Sequence, residues 1–436
     1  MVKKAKQDPS LRLLYEDREV ADLRYDLDRQ EFHLVYSAHW TWNADFVLSP
    51  HLPLSGEFSS ENTRKFLENL LPEGEALKTL ARTLKISPSN IYALLAAIGR
   101  DTTGAFSFSV NGEKVETSFR PLPIEELEQR IRERASKPIS IWDGKPRLSL
   151  AGVQEKLAVT LLKDGQYGFG EGKLASTHIL KFGRKGQHLI LNEYFCMKLA
   201  ERVGLSVAHV ELIRLGERVL QVERFDREWK LPHRVARIHI LDACQMLDAP
   251  PEFKYQRIIP VGPNKNDYLG PIDVTNLSAL CRQCAVPAKA QLQLLRWILF
   301  NLIIGNTDNH GKNISYIVTR KGYEIAPAYD LVNVSMYEDF HQELAFKIGD
   351  TFVLDDVKAF QLVEMSEQMG LAPRFVATHL RKICQETLKH IDSIHIEELS
   401  DDERDFMDKL RNNIQDRAER FLAQSSLINS IASKVR

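Results

Sequence analysis

The segment Gly305-Asn306-Thr307-Asp308-Asn309-His310-Gly311-Lys312-Asn313, followed further on by Asp330, constrains this chain more than any other. Upstream, Leu294 to Ile304 is almost continuously apolar and reads as a buried helix that Gly305 ends through a left-handed cap. Downstream, Ile314 to Thr319 alternates as a strand, Lys321-Gly322 is a turn, and Tyr323 to Ala326 is the returning strand. A hairpin brings its ends together, so Asn313 and Asp330 are expected side by side. An Asp with an Asn five positions on and a second Asp beyond a hairpin is what phosphoryl transfer needs. Asp308 would orient or deprotonate a hydroxyl, while Asn313 and Asp330 offer the hard oxygen ligands that Mg²⁺ takes beside phosphate and water. The plainer alternative is that Asp and Asn form loops and merely build turns here.

An upstream block fits the same chemistry. Leu157 to Leu162 reads as a strand, Asp164-Gly165 as a tight turn, and Thr177 to Phe182 as a strand carrying Lys181. Between apolar Leu180 and Phe182, Lys181 is expected on the strand's opposite face, where a phosphate-clamping lysine belongs. The preceding loop, Arg147 to Lys156, has small Ala151 and Gly152, whose backbone N–H groups could approach phosphate oxygens. Leu189 to Val203 is helical, and its Glu193 is a candidate ion-pair partner for Lys181. Val207 to Ile213 and Arg218 to Val222 read as strands. Val222-Glu223-Arg224-Phe225-Asp226-Arg227 then leaves the sheet as a hinge, beyond which the pattern turns mostly helical.

Taken together, S-L-A-G-V-Q-E-K (149–156), T-H-I-L-K (177–181), N-E-Y (192–194), V-E-R-F-D-R (222–227), T-D-N-H-G-K-N (307–313) and A-Y-D (328–330) resemble the HipA family of bacterial toxin Ser/Thr kinases. L-E-N-L-L-P-E (67–73) and I-G-R-D-T-T-G-A (98–105) extend the resemblance over most of the chain. It implies an α+β fold, protein-kinase-like and bilobal, with an additional N-terminal α+β subdomain. The expected segments are 1–138 for regulation and partner docking, 139–227 for the strand-rich ATP-binding lobe, and 228–436 for the helical catalytic lobe.

The resemblance also implies roles. Asp308 is the catalytic base, Asn313 and Asp330 hold Mg²⁺, and Lys181 meets the ATP phosphates. Glu223 and Phe225, with Arg224 between them, belong to the adenine pocket. Ala151, Gly152, Val153, Gln154, Glu155 and Lys156, with His310, Gly311, Lys312 and Tyr329, complete the ATP site. Asn306, Asn309 and Gly311 read as tolerated variation within the loop. Ser149 matches the family's autophosphorylation site; a phosphate there adds close to two negative charges and is expected to repel ATP and switch the kinase off.

Implied partners are a helix-turn-helix antitoxin of the HipB type on operator DNA, and a protein substrate, an aminoacyl-tRNA synthetase such as the glutamyl enzyme. Two other classes stay open. A small-molecule phosphotransferase would share the machinery, and a non-catalytic kinase-like corepressor would predict decay at Lys181, Asp308, Asn313 or Asp330, all of which are intact.

Composition narrows the surroundings. At 436 residues the chain exceeds one core and calls for two or three domains. A net charge of −1 supplies no general drive toward nucleic acid, so DNA contact is expected mainly through the antitoxin. Met1 to Ser10 is charged and unlike a signal peptide, and the apolar run near Leu294 is too short for a membrane span and contains Arg296. A cytoplasmic location follows as the expectation. Five cysteines give no disulfide framework, and Cys281-Arg-Gln-Cys284 sits in a helical pattern without a second ligand pair.

In the N-terminal segment, short strands are expected at Leu11 to Leu14, Ala21 to Tyr25 and Phe32 to Tyr36. Ser60 to Leu71 reads as a helix, and a second helix has Ser87 as its cap and Gly99 as its stop. Ala105 to Val110 and Glu113 to Phe119 are expected to pair as a hairpin about Asn111-Gly112. Toward the other end, Asp356 to Met369, Arg374 to Thr387 and Asp401 to Leu422 read as helices with solvated basic faces.

Overall fold

The computed structural model describes residues 10–44, 46–147, 154–184, 186–258 and 268–435. Ser149, Ala151, Gly152 and Val153 lie outside the described residues. The chain forms two compact units: residues 1–182, 213–241 and 318–320 make the first, and residues 183–212, 242–317 and 321–436 the second. These units do not follow the three consecutive segments read from the sequence. The N-terminal module and the strand-rich region share one unit, and the chain leaves it after Leu241, beyond the hinge expected at 222–227.

In the first unit, Glu31–Tyr36, Arg18–Asp26, Leu11–Tyr15 and Phe106–Val110 lie side by side in that order, all antiparallel. Phe106–Val110 therefore pairs with the first strand of the chain, not with residues 113–119. The Asn111-Gly112 turn does form, both residues being left-handed, with the Glu113 N–H donating to the Val110 carbonyl. The charged run beyond it does not double back onto Phe106–Val110, whose ladder partner is Leu11–Tyr15. Ser118–Pro121 pairs instead with Tyr167–Glu171. The second expected helix runs Ile91–Ile98 and is capped by Asn90, whose side chain accepts from the Ala93 N–H; Ser87 lies in the preceding turn.

A second sheet of the same unit sets Glu217–Glu223, His178–Phe182, Lys156–Leu161, Tyr167–Glu171 and Ser118–Pro121 in order. One face presents Leu157, Val159, Leu180, Phe182 and Val219 to a core closed by Leu127 and Ile131 of the helix Ile124–Arg132. Because strand side chains alternate, Ile179 and Lys181 project from the other face.

His239 ties the first unit's parts together. It is buried, its ring lies against Phe46 and Phe106, and Nε2 donates to the Leu48 carbonyl at 2.9 Å. Burial pushes its pKa down to about 4. The folded state therefore holds the neutral ring while the unfolded chain takes up a proton as soon as pH falls below about 6.5. Stability is expected to fall between pH 6.5 and 4 by about 3 kcal/mol from this residue alone, one pKa unit being worth about 1.4 kcal/mol. In His239→Gln, urea denaturation over that range should lose this slope; an unchanged slope would assign the acid lability elsewhere.

The second unit is mostly helical: Leu189–Val203, Val274–Cys281, Pro287–Ile304, Ala359–Gln368, Pro373–His390 and Asp401–Val435. Pro287–Ile304 is its central helix, with Leu294, Leu295, Ile298, Leu299, Phe300, Leu302, Ile303 and Ile304 buried; Pro373–His390 and Asp401–Val435 pack on it and on each other, and Ala359–Gln368 packs on those two. Among the described residues no helix is long and apolar enough to cross a membrane. All five cysteines are buried and free, and burial raises the Cys281 and Cys284 thiols to about 12 and about 11, so neither is poised as a thiolate.

Candidate active site

The central helix delivers the polar loop. Gly305 adopts φ +74° and its N–H caps the carbonyls of Asn301 and Leu302, ending the helix as the sequence predicts. A side chain there would strike the Arg417 guanidinium and the Ser335 hydroxyl at about 2.5 Å, so the turn has no room for one.

Asn306 then organises the loop. Its Nδ2 donates to Asn301 Oδ1 at 2.7 Å and to the Asp330 carbonyl at 3.4 Å, while its Oδ1 accepts the Asp308 N–H at 3.1 Å. It thus links the helix, the Asp308 backbone and the Asp330 backbone, a role that the reading of Asn306 as tolerated variation does not anticipate. Gly311 is constrained as well: a Cβ would lie 2.8 Å from Ile272 Cδ1 and 3.1 Å from Cys244 Sγ. Asn309 is buried.

Asp308 is partly exposed, and its Oδ1 accepts the Tyr255 hydroxyl at 2.6 Å. Its carbonyl accepts the His310 N–H at 2.9 Å and Asn313 Nδ2 at 2.8 Å. That second bond orients the Asn313 amide with its oxygen directed away from the Asp308 carbonyl. The hairpin Ser315–Thr319 and Gly322–Ile325 closes at its base through the Ala326 N–H to Ser315 carbonyl bond, 2.8 Å. Beyond it, the Tyr329 hydroxyl donates to the Lys312 carbonyl at 2.7 Å and lies 2.7 Å from Ser315 Oγ. Asp330 follows in the left-handed region, φ +56°, a strained conformation for a residue other than glycine. Asp308, Asn313 and Asp330 are thus gathered by one set of hydrogen bonds inside the second unit.

His310 is buried, and its Nδ1 accepts the Lys312 N–H at 3.3 Å, so the ring proton sits on Nε2. Burial holds the ring well below the usual histidine pKa; the Lys254 and Lys312 cations add to this and Asp330 opposes it. His310 is therefore a neutral ring at neutral pH. Lys312 is buried too, with its ammonium 2.8 Å from Asp242 Oδ2. The sequence placed Lys312 among the ATP-binding residues; in the structure its ammonium pairs with Asp242. Neither Asp242 nor Tyr255 was singled out from the sequence. Asp242 had a local signal, since Asp242…Gln245 forms a capping box. Tyr255, 53 residues before Asp308, had none.

The other candidate residues lie in the first unit. Lys181 is buried in the strand His178–Phe182, opposite Leu220 on one neighbouring strand and Lys156 on the other. Gln154 Nε2 reaches the Phe182 carbonyl at 3.5 Å, the Glu155 carbonyl accepts the Phe182 N–H at 3.0 Å, and the Glu155 carboxylate is 3.4 Å from Arg134. Glu223 ends its strand with an exposed side chain, opposite His178, and Phe225 is half-buried. Arg224 turns inward, its side chain 2% exposed, and holds Asp226 through Nε at 2.9 Å and Nη2 at 2.8 Å and Ser176 Oγ through Nη1 at 2.8 Å. Arg224, expected in the nucleotide site, has its side chain in this buried network, turned inward where its neighbour Glu223 is exposed. Glu193, in the helix Leu189–Val203, is buried in the second unit.

A strand-rich unit with a buried strand lysine, and a helical unit with an Asp–Asn–Asp loop on its core helix, define a protein of the kinase-like class. A family model described as the HipA-like C-terminal domain matches residues 148–391, and one described as the HipA N-terminal domain matches residues 11–109. The serine/threonine-protein kinase toxin HipA of Shewanella oneidensis is 40% identical over 413 residues, covering 93% of this chain and 94% of that protein. A putative kinase of Sinorhizobium fredii is 33% identical over 84% of the chain and 87% of its own length. The structure of Shewanella oneidensis HipA in its complex with HipB and operator DNA superposes with a TM-score of 0.87 at 38% identity, over 96% of this chain and 99% of that one. The chain belongs to the HipA family, and its fold is the α+β kinase-like fold of that family with the additional N-terminal α+β part.

Proposed function

We propose that the protein is a Mg-ATP-dependent serine/threonine protein kinase acting as the toxin of a toxin–antitoxin pair. The observation that carries the reading is the Asp308–Asn313–Asp330 arrangement, held by Asn306, Tyr255 and Tyr329. Its donor set suits Mg²⁺. The Asn313 amide N–H is taken by the Asp308 carbonyl, which leaves the amide oxygen as the group presented to a ligand, and the Asp330 carboxylate supplies the second hard oxygen. An ion held there would neutralise charge on the nucleotide phosphates.

Each remaining step is assigned to this chain's side chains. Asp308, fixed by Tyr255, accepts the proton of the substrate hydroxyl. Lys181 pairs with ATP phosphates, with Glu193 as its candidate partner. Glu223 and Phe225 border the adenine, and Gln154, Glu155 and Lys156, continuing the loop from Ala151, flank the phosphates. Ser149 is the autophosphorylation site, its modification lowering ATP affinity by charge repulsion. The kinship with Shewanella oneidensis HipA supports a HipB-like antitoxin that brings the protein to operator DNA, and an aminoacyl-tRNA synthetase of the glutamyl type is proposed as the target.

The test is incubation with radiolabelled ATP and Mg²⁺, beside Asp308→Gln, with phosphosites mapped by mass spectrometry. Label on Ser149 in the wild type and none in the variant is the expected result. ATP binding without any phosphopeptide would reject the protein-kinase reading. Tyr255→Phe removes one hydrogen bond to a charged group, so turnover is expected to fall about tenfold with ATP affinity retained. Equal loss of ATP binding and turnover would mean Tyr255 acts on the nucleotide instead.

A further inference from the structure

Asp101 lies within the segment 11–109 that the N-terminal family model matches, and it reaches the strands expected to carry the nucleotide. Its Oδ2 accepts the Ser176 N–H at 3.0 Å and its Oδ1 accepts Arg227 Nη2 at 3.0 Å, with Arg237 Nη1 3.4 Å away. Ser176 directly precedes the Lys181 strand, and Arg227 follows the Glu223 strand closely. The same two ends are laced again by Arg224: its N–H donates to the Thr177 carbonyl at 2.9 Å and its Nη1 to Ser176 Oγ. From the N-terminal side the Gly104 N–H donates to Asp226 Oδ2 at 2.9 Å, and the carbonyls of Thr102 and Gly104 accept from Arg227 at 2.7 and 3.0 Å.

The place of this network matters. His178 and Glu223 are partners in the antiparallel ladder, so Ser176 and Arg224 lie together at one end of that strand pair. Lys181 stands a few residues along one strand, and Glu223 and Phe225 at the end of the other. A nucleotide whose phosphates meet Lys181 and whose base meets Glu223 and Phe225 needs both strands held in one register. A strand pair alone holds register only by its ladder, whereas three buried charged groups, Arg224, Asp226 and Arg227, with half-buried Asp101 and Arg237, fix it at the strand ends.

We propose that Asp101 is a positioning residue for ATP: through Ser176 and Arg227 it holds the Lys181 strand and the Glu223–Phe225 segment in the register that nucleotide binding needs. The N-terminal domain is by this account part of the nucleotide site's scaffold and not only a docking module. The inference rests on the kinase reading above. It goes beyond it by predicting an ATP defect from a residue that touches no nucleotide.

The experiment compares MgATP affinity by calorimetry, and KM for ATP against kcat, in wild type, Asp101→Asn, Ser176→Ala and Leu23→Ala, with thermal melting of each. Leu23 is fully buried in the N-terminal sheet and reports simple loss of stability. Asp101→Asn is expected to raise KM and Kd for ATP about tenfold with kcat at saturating ATP nearly unchanged, as loss of charge-assisted hydrogen bonds to a positioning group implies. Ser176→Ala should move both in the same direction by less, and Leu23→Ala should lower melting temperature without moving KM. If Asp101→Asn does not fold, Asp101→Glu, which keeps the charge but shifts it by one methylene, is read in its place. A folded Asp101 variant with wild-type ATP affinity, or a Leu23→Ala defect in KM as large, overturns the proposal. Failure of the wild type itself to bind ATP overturns the kinase reading and this inference with it.

Discussion

Asp308→Gln is expected to bind MgATP like the wild type and to lose turnover by roughly 10²- to 10⁴-fold, the usual contribution of a positioned general base. The geometry explains why the loss should fall on kcat. Asp308 is fixed by its neighbours on both sides: Tyr255 holds the carboxylate, and Asn306, His310 and Asn313 hold its backbone. A Gln side chain is longer and neutral, so it neither accepts the proton nor reaches the same point, while the backbone bonds that orient Asn313 survive. Steady-state kinetics with calorimetric ATP binding checks this. A variant that retains a tenth or more of wild-type turnover would remove Asp308 from the base role.

The second large effect is on stability. Asp226→Ala is expected to destabilise the folded chain by roughly 3–5 kcal/mol, the cost of leaving buried charge without its partner. Asp226 is 6% exposed and takes hydrogen bonds from Arg224 and Arg227 and from the Gly104 N–H, so its removal leaves two buried guanidinium groups facing Asp101 alone. Although burial by itself would raise the Asp226 pKa, Arg224 and Arg227 dominate and lower it to about 2; Asp101 is likewise held low, with Arg237 the leading counter to its own burial. A depressed carboxylate contributes stability above its unfolded value near 3.8, and this is lost as pH falls through the folded value. Acid unfolding should therefore show an early loss from the buried neutral rings of His239 and His310 below pH 6.5 and a steeper one below about pH 4 from these carboxylates. Chemical denaturation of Asp226→Ala at pH 7 and of the wild type across pH 2–7 checks both. A cost under about 1 kcal/mol for Asp226→Ala would show that the cluster is stabilised mainly by other bonds.

The candidate site was legible in sequence where chemistry and local structure coincide. Gly305 as a cap, the hairpin after Asn313 and the strand carrying Lys181 all follow from short-range rules, and the structure has them. What stayed hidden depends on distant partners. Asn306 reads as tolerated variation, yet its bonds run to Asn301 and Asp330; Lys312 is assigned by resemblance, and nothing near it in sequence points to its ion-pair partner Asp242, 70 residues away. Arg224 stands between exposed Glu223 and half-buried Phe225, and only its neighbours in space show that it turns in. The hairpin expected across Asn111-Gly112 failed for a related reason. The turn residues were read correctly, but sheet pairing is settled by distant strands: Phe106–Val110 pairs with Leu11–Tyr15, and Ser118–Pro121 with Tyr167–Glu171.

The buried charge network also bears on how the chain is made. Asp101 and Gly104 find their partners 126 and 122 residues later, at Arg227 and Asp226. On a ribosome the N-terminal sheet can pair its four strands once Val110 is out, yet its loop at 101–104 must wait for more than a hundred further residues. Contacts of such long sequence separation form slowly, and an early domain with unpaired groups is exposed to wrong association while it waits. A late step of folding in the first unit is then the arrival of residues 224–237, so a pause or truncation before that point would leave a folded sheet whose charged loop has nothing to close on.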